Sequence, residues 1–375
     1  SADEFHAAAR RVTDRGYRAL KFDPFGPGRW ELDADETRRA VHLCEAVRDA
    51  VGPDVEILVE MHGRFAPHEA VRIARLLEPI NPAWIEEPVP PANLKSLAKV
   101  AAHTSLPIAT GEAVVTVAYA GICGSDVELF RGGRPPGFVE YPLIPGHEWS
   151  GTVARVGDGV DAGLVGRKVV GEGFRSCGRC DPCRDGNAVL CATGYDEIGF
   201  TRPGAWAEQL TVPAAQLHVL PGDVDLRAAA LLEPAACSAA AVARAAIEPG
   251  ARVAVVGAGA LGALAVQLAR RHGPAEIVVV EPEPGRADIA ARCGATRVVG
   301  PDAIDDLHGC CDVVIEAAGS TDSAALALGL VRRGGRLVLA GIPPAAATVR
   351  VRDLVAARVD VATVFGAPSA AWRDA

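Results

Sequence analysis

The sequence predicts a multidomain α/β chain, and three stretches of different texture predict it. Strands alternate with helices over the first 112 residues, short strands broken by Gly and Pro fill the next stretch, and a strand, glycine turn and helix near residue 252 open a doubly wound parallel sheet. A length of 375 residues leaves room for two or three domains with their own cores. A formal charge of −9 and scattered basic residues argue against a nucleic-acid or membrane-surface partner. Although 49% of the residues are hydrophobic, no apolar run reaches the length of a membrane span. The opening Ser-Ala-Asp-Glu carries acid where a signal peptide carries base, so a cytoplasmic chain with reduced thiols is expected.

In the first third, apolar residues at helical spacing from Phe5 to Arg18 predict a helix, and Ala19–Phe22 a buried strand. A helix over about 35–51, a strand at 55–61, a helix over about 67–77, a strand at 83–85, a helix over about 93–103 and a strand at 107–110 follow. Glu60, Glu86 and Glu112 fall at strand ends with the same interval of 26 residues between neighbours. One βα unit per interval would set three carboxylates along the top of a barrel, where they could hold a hard cation such as Mg²⁺. The bland alternative is that acidic residues often end strands. The surrounding words, Val59-Glu-Met-His-Gly-Arg64, Trp84-Ile-Glu-Glu-Pro88 and Pro107-Ile-Ala-Thr-Gly-Glu112, resemble metal-ligand strands of the enolase superfamily, in its acid-sugar dehydratase branch. The resemblance implies His62 as a general acid and Lys21 as a base-strand lysine, with Asp23 where racemase members carry a second lysine. It also implies a capping domain and further barrel strands that this stretch lacks, so the expectation is a partial (β/α) barrel fragment over residues 1–112.

From 113 to 240, strands are expected at 114–118, 149–156, 168–170, 206–212 and 217–220, an all-β, barrel-like pattern. Within it, Cys123, His147 and Glu148 supply a thiolate, an imidazole and a carboxylate, the donors a borderline-soft ion such as Zn²⁺ prefers. Three protein ligands with a fourth position open is the form of a catalytic zinc site. Cys177, Cys180, Cys183 and Cys191 form C-x2-C-x2-C-x7-C, a spacing that closes four thiolates on one tetrahedral ion; an iron–sulfur cluster or a disulfide pair are the alternatives.

From 241 to 375 the pattern is again βα. Arg252-Val-Ala-Val-Val-Gly257-Ala-Gly259-Ala-Leu-Gly262 runs from a strand through a Gly-x-Gly-x-x-Gly turn into a helix through Leu268, and Glu281 ends the next strand, 19 residues after the last glycine. Gly257 suits the tight turn, Gly259 lets a pyrophosphate approach the helix start, and Glu281 can bind both ribose hydroxyls. An acid there repels a 2′-phosphate, favouring NAD over NADP; Arg286 nearby keeps the other cofactor open. Strands at 297–299, 312–316, 336–340 and 359–364 complete the expected open sheet.

Together Ala120-Gly-Ile-Cys-Gly-Ser-Asp126, Pro145-Gly-His-Glu148, the four-cysteine lobe, Leu232-Glu-Pro234 and the glycine turn resemble the zinc-dependent medium-chain alcohol and polyol dehydrogenases over about residues 112–375. The resemblance implies a GroES-like catalytic domain over 113–240, a Rossmann NAD-binding domain over 241–375, and a carboxyl-terminal return segment that is missing here. It implies a catalytic zinc held by Cys123, His147, Glu148 and Glu233, the last directly or through water, and a structural zinc on Cys177, Cys180, Cys183 and Cys191. It further implies Asp126 behind His147, Ser125 as acceptor of the substrate hydroxyl proton, a small alcohol or polyol as substrate, and a homo-oligomer. Glu128 stands where many relatives carry a relay His. Two alternatives accompany this reading: a Mg²⁺-dependent acid-sugar dehydratase, and a chimera of two truncated enzymes without catalysis. The change of wording at Gly111-Glu112, which both families could claim, suggests a spliced chain.

Overall fold

The structure, a computed structural model, describes residues 1–89, 94–106, 108–109, 111–157, 160–175, 180–192 and 194–375. It opens on helix Ala2–Asp14, a turn earlier than its apolar periodicity predicts, because Ser1 and Glu4 form a capping box ahead of it. The chain then turns through Gly16 at φ 86°. Strands Ala19–Phe22, Glu56–Glu60, Trp84–Glu86 and Ile108–Ala109 pair in parallel in that order. Helices Ala34–Val51, Pro67–Leu77 and Leu94–Ala101 link them. Asp33 caps the first of these helices through the Asp35 and Glu36 N–H groups, and Gly52 ends it at φ 72°. Ile57, Val59, Met61, Ile73, Leu77 and Ile85 form the core. With Leu58 also buried, three successive residues of the Glu56–Glu60 strand are covered, as in a parallel sheet enclosed on both faces.

A five-stranded sheet follows, in the order Gln209–Pro213, Glu112–Ala120, Trp149–Val156, Lys168–Gly171, Leu217–Val219. The expected strand at 206–212 begins three residues later. Trp206 is diverted: its main-chain N–H donates to the Pro145 carbonyl and its indole N–H to the Gly121 carbonyl.

The last sheet has six parallel strands, in the order Arg297–Val299, Glu276–Val280, Arg252–Val256, Cys311–Glu316, Val331–Leu339, Asp360–Thr363. Numbered along the chain this is 3-2-1-4-5-6, the doubly wound order, with its switch point between Arg252–Val256 and Cys311–Glu316. Alternation fixes the faces. Val253, Val255, Ile277 and Val279 pack with helix residues Val266 and Ala269 on one side, while Ala254, Val256, Val278 and Val280 pack with Ala327 and Leu330 on the other. Each fully buried Val contributes about 1.5–3 kcal/mol.

The described residues pack as two compact units. One comprises Ser1–Val117, Gly151–Val169 and Glu208–Gly222; the other comprises Ala118–Ser150, Val170–Ala207 and Asp223–Ala375.

Candidate active site

All the described residues expected to hold zinc or dinucleotide lie in the second unit. Cys123 ends the turn after the Glu112–Ala120 strand and caps the short helix Gly124–Phe130; Asp126 in that helix accepts the Cys123 main-chain N–H at 2.8 Å. His147 and Glu148 immediately precede the Trp149–Val156 strand. One donor atom each of Cys123, His147 and Glu148 lie within 4.8 Å of one another, and the two latter side chains are buried. The close approach depends on Gly121, where a Cβ would fall 2.2 Å from Glu148 Oε2. At Gly146, φ 99°, an added Cβ would likewise fall 2.4 Å from the Trp206 ring.

The electrostatics of this group are those of a cation site. Burial opposes charge on His147, yet the Asp126 carboxylate, the Cys123 thiol and the more distant Glu233 hold its pKa well above the ordinary value. Asp126 is lowered despite its burial, by His147 and by the Cys123 N–H. Burial raises Glu148 and Glu233. His147 Nδ1 and Asp126 Oδ1 stand 3.6 Å apart, beyond hydrogen-bond length, and both are buried without a hydrogen-bond partner among the described residues. Nδ1 thus faces the Asp126 carboxylate, the usual device for fixing the tautomer of a metal-binding imidazole. A thiol, an imidazole and buried carboxyls converging on one point fit a borderline-soft divalent ion.

Glu233, at the start of helix Leu232–Ala245, stands outside that closed trio; its Oε1 accepts from the Cys237 thiol at 3.4 Å. Ser125 Oγ donates to Cys123 Sγ at 3.2 Å, which places the hydroxyl beside the ligand cluster. Glu128, in the place of a relay His, is ion-paired with Arg134 at 3.2 Å. In the lobe, Cys180, Cys183 and Cys191 bring their sulfurs within 4.8 Å of one another. Cys180 Sγ and Cys183 Sγ are 3.3 Å apart, far longer than a disulfide. Cys177 lies outside the described residues.

At the glycine turn, Gly257 has φ 90° and its Cβ would strike Ala318 Cα at 2.7 Å, while a Cβ on Gly262 would lie 1.9 Å from the Gly257 carbonyl. Gly259, by contrast, has open space beside it at the start of helix Ala260–Arg270. Glu281 is buried at the end of Glu276–Val280 and accepts from the Ala258 and Glu283 main-chain N–H groups at 2.7 and 2.9 Å. Arg286 is exposed in the first turn of helix Pro284–Cys293. Glu316, which sequence reasoning gave no role, ends the strand at the switch point and accepts from Ala318 and Gly319 at 2.8 Å each. An acid ending a strand was the available signal.

In the first unit the expected magnesium set is not assembled. Lys21 Nζ lies 2.8 Å from Glu60 Oε2 and 3.0 Å from Glu86 Oε1, so an internal ammonium already bridges the two adjacent carboxylates. Glu112 is buried at the start of the next strand, opposite Pro213, and does not close with the other two into a metal-holding group. His62, at φ 53°, lies 3.4 Å from both Asp23 Oδ2 and Glu60 Oε1. These residues do not fit the cation of a dehydratase, because Lys21 supplies the positive charge.

A thiol-bearing group able to hold a metal and a doubly wound dinucleotide-type sheet in one unit are the features of a metal-dependent oxidoreductase. Comparisons with known proteins narrow this. The alcohol dehydrogenase GroES-like domain model matches residues 109–222, the zinc-binding dehydrogenase model residues 260–375, and the enolase C-terminal domain-like model residues 4–121. Sorbitol dehydrogenase of Bacillus subtilis (strain 168) is 35% identical over 245 residues, covering 62% of this chain and 68% of the relative. The zinc-binding dehydrogenase of Sinorhizobium meliloti 1021, solved bound to NADP, shares 32% identity with a TM-score of 0.65 over 70% of this chain and 80% of its own. The cobalt- and zinc-bound thermostable alcohol dehydrogenase of Pyrobaculum aerophilum gives 33% and 0.64 over 70% and 78%. The chain belongs to the zinc-dependent medium-chain alcohol and polyol dehydrogenases, with an enolase-like segment ahead of the dehydrogenase region. No helix among the described residues is long and apolar enough to cross a membrane.

Proposed function

We propose that the chain oxidises a secondary alcohol or polyol and passes the hydride to NAD. The observation that carries this is the convergence of Cys123, His147 and Glu148 within 4.8 Å. These three would hold the catalytic zinc; Glu233, outside their 4.8 Å group, would join through water or after a shift of its side chain. Cys180, Cys183 and Cys191, with Cys177, would hold a second, structural ion. Zinc supplies Lewis acidity toward the substrate oxygen, and the dinucleotide supplies the hydride acceptor.

The chain's own residues do the rest. Asp126 holds the His147 ring by its Nδ1 side. Ser125, hydrogen-bonded to the ligand thiol, receives the proton leaving the substrate hydroxyl. Gly259 leaves the helix start open to a pyrophosphate, and Glu281, with spare lone pairs, accepts from the ribose hydroxyls. Buried negative charge at Glu281 opposes a 2′-phosphate, which favours NAD. The relative solved with NADP makes this a point to measure directly.

The test is NADH or NADPH formation with a panel of polyols, together with metal analysis. About two zinc ions per chain, activity with NAD above NADP, and loss of activity in Cys123→Ser with dinucleotide binding kept are the expected results. Unchanged turnover in Cys123→Ser would remove the reading.

A further inference from the structure

Four residues that the proposed chemistry leaves unused, Glu128, Arg134, Tyr195 and Glu197, form a part-buried network beside His147. The Arg134 side chain is 8% exposed. Its Nη1 donates to Glu128 Oε2 and its Nη2 to the Tyr195 hydroxyl, each at 3.2 Å, and the Tyr195 hydroxyl in turn donates to Glu197 Oε2. Arg134 Nε is buried with no hydrogen-bond partner among the described residues. A buried guanidinium with an unfilled donor costs free energy that its other contacts must offset. What it gains is a stack: the guanidinium carbon lies 4.3 Å from the centroid of the Phe200 ring. Phe200 is 2% exposed, and its ring centroid lies 4.8 Å from that of His147, tilted by 39°.

We propose that Arg134 is a positioning residue for the metal-binding imidazole of His147, acting through the ring of Phe200; this rests on the reading of Cys123, His147 and Glu148 as a metal centre. Asp126 Oδ1 faces His147 Nδ1 at 3.6 Å, which leaves the ring free to roll about that direction. A flat neighbour on its face removes the roll. Phe200 can do this only if it is itself immobile, and two features hold it. Its loop is pressed onto the backbone next to His147, since a Cβ on Gly199 would lie 2.9 Å from the Gly146 carbonyl carbon. Arg134, pinned at two nitrogens by Glu128 of helix Gly124–Phe130 and by Tyr195 of a distant loop, stacks on its ring. A fork held at two points fixes a plane, which a single ammonium cannot do. Glu128 thereby anchors the guanidinium.

The experiment uses the full chain with Co²⁺ introduced in place of zinc, in wild type, Arg134→Met, Arg134→Lys and Phe200→Leu. The visible cobalt–thiolate bands that vanish in Cys123→Ser belong to this centre. Arg134→Met and Phe200→Leu are expected to shift those bands and to release cobalt to a chelator roughly 10-fold faster. Arg134→Lys, which keeps the charge and loses the fork, is expected between wild type and Arg134→Met. Bands and release rates unchanged in both Arg134→Met and Phe200→Leu would overturn the proposal, as would lower melting temperatures with the bands intact. If Arg134→Met does not fold, Phe200→Leu decides alone. A wild-type chain without any band sensitive to Cys123→Ser would instead remove the metal-centre reading, and this proposal with it.

Discussion

Single atoms decide the metal centre. A Cβ at position 121 would overlap Glu148 Oε2, and the neighbouring main chain cannot yield because the Gly121 N–H donates to the Glu148 carbonyl at 2.8 Å. Gly121→Ala should therefore push the Glu148 carboxylate out of the trio and weaken zinc binding by about 10- to 100-fold, measured by competition with a chelator. Glu197 gives a different test. Burial lifts its pKa from 4.5 to about 7 against the opposing effects of Tyr195, His147 and Arg134, with Glu233 adding to the rise. Between those two values the folded state keeps a proton that the unfolded chain has released. This contribution is fully present below pH 4.5 and is lost as pH rises toward 7. In the metal-free protein, Glu197→Gln should then lose less stability than wild type between about pH 5 and about pH 8, read by thermal melting. An identical pH slope in both would contradict the burial argument.

At the scale of elements, sequence pattern and structure agree where backbone periodicity and caps act locally. The strands Ala19–Phe22, Trp149–Val156 and Arg297–Val299 fall where alternation and flanking turns put them, and the glycine turn opens its helix as spacing predicts. Residue type and neighbouring glycines mark Cys123, His147 and Glu148 as candidate metal donors, and their side chains do converge. Arg134, Tyr195, Glu197 and Phe200 carry no such mark, since they meet from separate loops and no local pattern reports a stack or a shared hydroxyl. Nor could spacing reveal that Lys21 would occupy the gap between Glu60 and Glu86; only parallel pairing in register brings the three together. Lys21→Met should leave those carboxylates facing each other unneutralised. With Lys21 itself 44% exposed, the loss is expected to be about 1–2 kcal/mol, seen as a lower melting temperature. Added Mg²⁺ should not raise the wild-type melting temperature, and a clear rise would restore a cation site there.

For the molecule as a whole, similarity and packing draw different lines. The enolase-like match and the GroES-like match both include residues 109–121, and one compact unit holds Ser1–Val117 together with Gly151–Val169 and Glu208–Gly222. The shared residues are mostly strand Glu112–Ala120, whose first four positions are buried. Main-chain pairing is indifferent to which ancestor supplied a side chain, so a breakpoint inside a strand can be tolerated if its two halves stay in phase. Phase is then the whole constraint: one residue added just before Glu112 would turn Ala113, Val114 and Val115 over against Val212, Thr211 and Leu210. Such an insertion should abolish soluble expression, while one glycine added at the exposed turn Gly222-Asp223 should be borne with little loss. A seam of this kind can be crossed by recombination only where the alternation of buried and exposed faces is kept.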